Sequence, residues 1–200
     1  MKERDNFLKI NSILKFESED DFYYLQIIQR NKDTNTLGTN SRCIKTYYIK
    51  SNEEFMRLKD DIIHLCHCFN ARAYINLNVR SFKKVTLGCL KAISDRIISN
   101  DYTKPYKIFD SITGQSGASR DKSWIIDVDC PEDMKHTYIM NITRLLESCE
   151  PFGEKIKAFI DTRNGFHIIT STFNLNKFKE CYPDIDIHKN NPTLLYAFWE

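Results

Sequence analysis

Two aspartates one residue apart, Asp127 and Asp129, close the apolar run Trp124-Ile125-Ile126-Asp127-Val128-Asp129. Side chains alternate along a strand, so the two carboxylates share one face while Trp124, Ile126 and Val128 share the other. Like charges held that close repel unless a proton or a cation sits between them. The pair therefore asks for a divalent metal, and hard, oxygen-seeking Mg²⁺ or Mn²⁺ suits carboxylates best. The bland alternative is turn and cap chemistry. Aspartate also satisfies loose backbone N–H groups, and Pro131 fits the first turn of a following helix.

Other polar residues fall where a strand should carry apolar ones. His167 stands inside Phe166-His167-Ile168-Ile169, and Asp184 and Asp186 alternate with Ile185 and Ile187. Thr162-Arg163-Asn164-Gly165 adds a hydroxyl, a cation and the Asn-Gly signal of a tight hairpin. Carboxylate-held metal ions can bridge nucleotide phosphates, activate an attacking hydroxyl and neutralise a leaving pyrophosphate. A histidine beside them can donate a hydrogen bond to a phosphate. The combination suits a triphosphate.

The elements that must position these residues follow from periodicity. Residues 22–30 and 41–49 are rich in β-branched and aromatic residues and read as an antiparallel hairpin joined by a polar link. Ser51 and Glu54 form a capping box before Phe55, Leu58, Ile62, Leu65, Cys66 and Phe69 at helical spacing. Residues 71–78 alternate as a strand. Ser81 caps a second helix with Phe82, Val85, Cys89, Ile93 and Ile97 on one face. The polar stretch 100–122 reads as a link between lobes or a loop over a site. Its Gly114-Gln115-Ser116-Gly117 is no P-loop, because no Gly-Lys-Ser/Thr follows.

A strand at 123–129, a helix at 131–149, strands at 155–162 and 166–170, a short helix through Leu175, Phe178 and Cys181, and a strand at 184–188 complete the chain. Their order is β-α-β-β-α-β, the split βαβ arrangement of ferredoxin-like and RRM-like folds. The expected fold is α+β with mainly antiparallel sheet. An N-terminal αβ lobe would occupy 1–110 and an RRM-like lobe 111–200, together forming one compact core. The first strand of such a lobe lies between its third and fourth. Asp127 and Asp129 would then have His167 on one side and Asp184 and Asp186 on the other, on a face left open by the helices.

At 200 residues, 42% hydrophobic and 12% aromatic, the chain has ample material for a packed interior. No apolar run approaches membrane-spanning length, and the first residues are not followed by a signal-peptide core. Seven cysteines, odd in number and scattered, suit reduced thiols. The expected compartment is the cytoplasm, with no membrane partner. A net charge of +2 leaves room for a local basic groove. His64, Cys66, His67 and Cys68 fall on one helix with no second ligand pair at zinc-finger spacing, which favours an ordinary helix end over a zinc site. Arg72 and Arg80 flank a strand of the first lobe and could reach phosphates across a cleft; solvated surface arginines are the plain alternative. Lys83, Lys84 and Lys91 could edge a template strand, with a solvated helix face as the default.

Asp127-Val128-Asp129, then Thr162-Arg163-Asn164-Gly165-Phe166-His167, then Ile185-Asp186 together resemble the three motifs of the archaeo-eukaryotic primase superfamily. That family has a hydrophobic strand ending in Asp-x-Asp or Asp-x-Glu, a small-x-His motif and a later hydrophobic-Asp. The resemblance implies a metal-dependent nucleotidyltransferase that joins nucleoside triphosphates on single-stranded or primed DNA or RNA. Asp127, Asp129 and Asp186 would be catalytic metal ligands for two Mg²⁺ or Mn²⁺ ions, with Asp184 competing for the third place. His167, Arg163, Thr162 and Arg80 would bind the nucleotide. A helicase or other replication or repair proteins would be partners, since the chain carries no evident zinc module or primer-binding appendage. The alternative is a non-catalytic or inactivated nucleic-acid-binding module on the same fold. A rolling-circle nicking enzyme would need two histidines around one hydrophobic residue, which His167-Ile168-Ile169 does not supply.

Overall fold

A computed structural model describes residues 2–34 and 40–199. Strand β1 (Lys2–Asp5) and the short helix α1 (Phe7–Asn11) come first, neither of them expected from periodicity. The expected hairpin follows as β2 (Asp21–Gln29) and β3 (Arg42–Ile49). A turn of helix, α2 (Asn31–Thr34), leaves β2; the remainder of the expected polar link lies partly outside the described residues. The single helix expected after Ser51 is two, α3 (Asn52–Arg57) and α4 (Lys59–Phe69), broken at Leu58. Ser51 caps as expected, its hydroxyl accepting from the Glu54 N–H at 3.1 Å. Strand β4 (Arg72–Ser81) runs straight into α5 (Phe82–Ile98), whose first turn is capped by the Ser81 hydroxyl accepting from the Lys84 N–H. The stretch 100–122 is partly helical, with α6 at Ile108–Gly114 packed on α5.

The second half opens with β5 (Trp124–Asp129) and α7 (Lys135–Glu147), preceded by a 3₁₀ turn at Glu132–Met134. Next come β6 (Ile156–Asp161), β7 (Gly165–Thr170), α8 (Leu175–Cys181), β8 (Asp186–His188) and a final strand, β9 (Thr193–Trp199). Two antiparallel sheets result, of five strands in the order β1-β9-β4-β2-β3 and four in the order β6-β7-β5-β8. In the smaller sheet β5 lies between β7 and β8, as the sequence order implies. Strand β9 was not foreseen. It leaves the 111–200 half and inserts between β1 and β4 of the larger sheet, so both chain ends belong to that sheet.

Burial explains which faces meet. Ile126, Val128, Phe166 and Ile168 point to one side of the smaller sheet and form a core with Ile142, Leu146 and Cys149 from α7 and its end, and Phe178 from α8. Ile185 and Ile187 join its edge, as expected. The opposite face is not freely open. Ile125, Ile160 and Ile169 pack from it into the large core of the first sheet, alongside Leu25, Ile75, Leu195 and helix residues Phe7, Phe55 and Ile62. Asp127, Asp129, Asp186, His167 and His188 on that face escape full burial. Helix α5 also differs from expectation: Ile93 and Ile97 are 43% and 59% exposed, and only Val85 is fully buried. Among the described residues, no helix is long and apolar enough to cross a membrane.

Candidate functional site

Register places the candidate residues in rows across the smaller sheet. Asp127 is directly opposite His167 on β7 and directly opposite Asp186 on β8. Paired side chains in antiparallel strands sit about 4.5–5.5 Å apart at their Cβ atoms, so the row is one contiguous polar stripe. Asp129, two residues further along the same face, faces Gly165. His188 lies opposite Ile125, at the other end of the stripe. Asp184 precedes β8 and is exposed, so of the two competing acids Asp186 is the one in register with Asp127.

Gly165 is needed here for closeness rather than for its backbone angle. A Cβ on it would lie 2.0 Å from the Val128 carbonyl oxygen, and β5 and β7 could not approach at the Asp129 end. The tight turn beside it is closed by the Thr162 N–H donating to the Gly165 carbonyl at 3.0 Å. It is anchored from outside by the Cys130 N–H donating to the Asn164 carbonyl at 3.1 Å and by Arg4 Nε donating to the Thr162 carbonyl at 3.0 Å. The turn that carries Thr162 and Arg163 is thus pinned to both β5 and β1.

These residues form one wall of a cleft of about 820 Å³ between the two sheets. Asp127, Asp129, Thr162, Arg163, Asn164, His167 and His188 line the wall of the smaller sheet. Arg30, Asp33, Arg72 and Tyr74 line the opposing wall, at the ends of β2 and β4. Trp199 stands between the walls, with the guanidinium groups of Arg72 and Arg163 each 5.7 Å from its ring centroid. Arg72 is also paired with Asp33 at 2.5 Å, and Arg30 Nη1 donates to the Tyr74 hydroxyl at 3.3 Å.

His167 Nε2 lies 3.3 Å from Asp127 Oδ1, and its Nδ1 lies 2.8 Å from the Thr193 hydroxyl. The hydrogen bond from His167 holds the Asp127 carboxyl below the usual carboxylate range, outweighing the opposite push of burial. Asp127 is therefore ionised at neutral pH, which is the form that binds a cation. Asp129 and Asp186 are exposed and make no side-chain hydrogen bond or ion pair among the described residues. Three oxygen donors on one face suit Mg²⁺ or Mn²⁺ in kind. Among the described residues, however, no three of His, Cys, Asp and Glu converge as an assembled metal centre would. The acids form a row, and the exposed pair would have to turn toward Asp127 to enclose an ion.

Arg80 is placed elsewhere. It is fully buried, with Nε donating to the Thr113 carbonyl, Nη1 to the Asn78 carbonyl and Nη2 to Asn190 Oδ1, all within 2.9 Å. Burial pushes its guanidinium down to about 10, still charged at neutral pH. Its donors bind α6, β4 and the β8–β9 connection together, away from the cleft. Neither the expected reach to phosphates nor a solvated surface position holds for Arg80, because α6 and the β8–β9 connection bury it.

The histidine–cysteine cluster of α4 is likewise an ordinary helix end. Cys66 is buried, with its thiol pushed up to about 12 by desolvation, and His67 meets the Tyr196 hydroxyl at 2.9 Å. His64 and Cys68 pair with each other at 3.3 Å on the surface. Arg30, Asp33 and Tyr74 line the cleft without being expected there, and Thr193 and Trp199, which touch His167 and the two arginines, are not expected either. For Tyr74 the sequence signal is the alternation Arg72, Tyr74, Asn76, Asn78, Arg80, which gives β4 a polar face; the others carry no such local signal. The chain matches no family model, no curated protein sequence and no solved structure.

Proposed function

We propose that this chain is a metal-dependent nucleotidyltransferase of primase-polymerase type, acting on nucleoside triphosphates with single-stranded or primed nucleic acid. One observation carries the reading: Asp127 and His167, with Asp129 a step along the same face, line a cleft whose walls bear Arg72 and Arg163, and Asp186, which is not among the lining residues, continues their cross-strand row. The cleft volume lies within the usual range of small-molecule sites, about 300–1,000 Å³. The strand order of the smaller sheet supports its assignment as an RRM-like lobe.

Asp127 and Asp129, with Asp186 beside them, would hold the divalent metal, which when bound neutralises phosphate charge and activates the attacking hydroxyl. The remaining work falls to the chain itself. Arg163, on a turn pinned from outside by Cys130 and Arg4, offers a guanidinium for a phosphate oxygen. Thr162 offers a hydroxyl on the same turn. His167 offers an N–H on the same face as the acids. The expected activity is incorporation of nucleotides on a single-stranded template with Mn²⁺ or Mg²⁺, lost in Asp127→Ala/Asp129→Ala. Equal incorporation by wild type and the double variant would refute the assignment.

A second reading is favoured by the row of acids that does not converge. On it, the chain is a nucleic-acid-binding module that performs no transfer. Metal-independent binding of single strands, unchanged in the double variant and with no incorporation, would select this reading.

A further inference from the structure

We propose that Thr193 is a positioning residue for His167: its hydroxyl donates to Nδ1 and so keeps the ring proton on Nε2, facing Asp127 and the cleft. Thr193 is fully buried and begins β9, where it pairs with Ile75 in the larger sheet. His167 stands on the other sheet, with its side chain only 14% exposed. The 2.8 Å contact between them therefore joins the two walls of the cleft directly behind the acidic row.

The direction of the bond follows from what each partner can do. An ionised carboxylate only accepts, so the nitrogen facing Asp127 must carry hydrogen. A neutral imidazole has one N–H, which leaves Nδ1 as an acceptor. The Thr193 hydroxyl has no second partner among the described residues, and donating to Nδ1 leaves neither group orphaned. The reverse arrangement would set the Nε2 lone pair against the Asp127 carboxylate and leave the buried hydroxyl hydrogen without an acceptor. Valine matches threonine in shape and lacks only the hydroxyl, so Thr193→Val removes this contact to Nδ1 and Thr193→Ser keeps it.

The consequence rests on the nucleotide reading of the cleft. The Nε2–H faces Asp127 Oδ1 at 3.3 Å, and a phosphate oxygen entering beside that carboxylate would share or take this hydrogen, so His167 serves as a donor to the substrate and is not its general base. Thr193 sets that role without touching the substrate.

The test compares wild type, Thr193→Val and Thr193→Ser by long-range ¹H–¹⁵N correlation of His167, which reads the ring nitrogen that carries the proton directly. Wild type and Thr193→Ser should show the proton on Nε2, and Thr193→Val should show a shifted or mixed population. Inorganic tripolyphosphate should bind Thr193→Val about tenfold more weakly, with recovery in Thr193→Ser, the scale of one lost hydrogen bond. A wild-type ring protonated on Nδ1, or a folded Thr193→Val with an undisturbed Nε2–H, overturns the proposal. If the tautomer shifts while tripolyphosphate binding does not, Thr193 is upheld as the positioning residue and His167 is removed from the phosphate site.

Discussion

Arg72 enters the cleft already neutralised. Asp33 holds its guanidinium at 2.5 Å, and the two side chains are only 12% and 14% exposed. A pair so shielded is worth more than a surface ion pair, because water screens it poorly. An incoming anion must therefore displace Asp33 or bind beside it. Asp33→Asn keeps the size of the side chain and removes its charge, leaving Arg72 with an unspent donor fork. The variant should bind tripolyphosphate about tenfold more tightly by calorimetry, a gain of one charge-assisted contact. Unchanged or weaker binding would mean that Arg72 is a fixture of the first sheet and takes no part in anion capture.

The elements of the smaller sheet were legible because each has a strong local signal. Two-residue alternation marks β5 and β8, and Asn164-Gly165 marks the turn between β6 and β7. Strands β1 and β9 were not legible, because their identity depends on each other. After Thr193, Leu194–Trp199 is a continuous apolar run with no alternation, and β9 becomes a strand by pairing with Lys2–Asp5 and with β4. The position of Arg80 is illegible for the same reason: its burial is imposed by α6 and the β8–β9 connection, both distant in sequence. Even where the signal was read correctly, its cause differed. Gly165 permits contact between β5 and β7, since its missing Cβ would meet the Val128 carbonyl at 2.0 Å. Gly165→Ala should therefore cost about 1–3 kcal/mol in thermal or urea unfolding, the usual penalty of overpacking. It should also shift the amide resonances of Val128 and Asp129 more than those of the β6 strand. A silent Gly165→Ala would show that the two strands separate there at no cost.

The whole molecule is held around the cleft by polar joints as well as by its shared core. At one end Asn76, Asn78 and Arg80 of β4 grip the β8–β9 connection through Lys189 and Asn190. At the other, the Asn6 amide donates to the carbonyls of Asp161 and Leu194, bridging β6 and β9. The Asp161 carboxylate adds ion pairs to Lys135 of α7, at 2.5 Å, and to Lys9 of α1. Burial raises the Asp161 carboxyl, but the two lysines outweigh it and hold it below the usual range. A carboxyl depressed by folding stabilises the native state above its unfolded value, about 3.9, and loses that contribution as pH falls through the lower folded value. Lys9 is 48% exposed and adds little; Lys135, at 20%, carries most of the effect. Asp161→Asn should thus be less stable than wild type by about 1–3 kcal/mol near neutral pH. In urea unfolding across pH 7 to 2 the two stability curves should converge on the acid side, starting near pH 4. Parallel curves across that range would assign the acid sensitivity of the joint to other carboxylates.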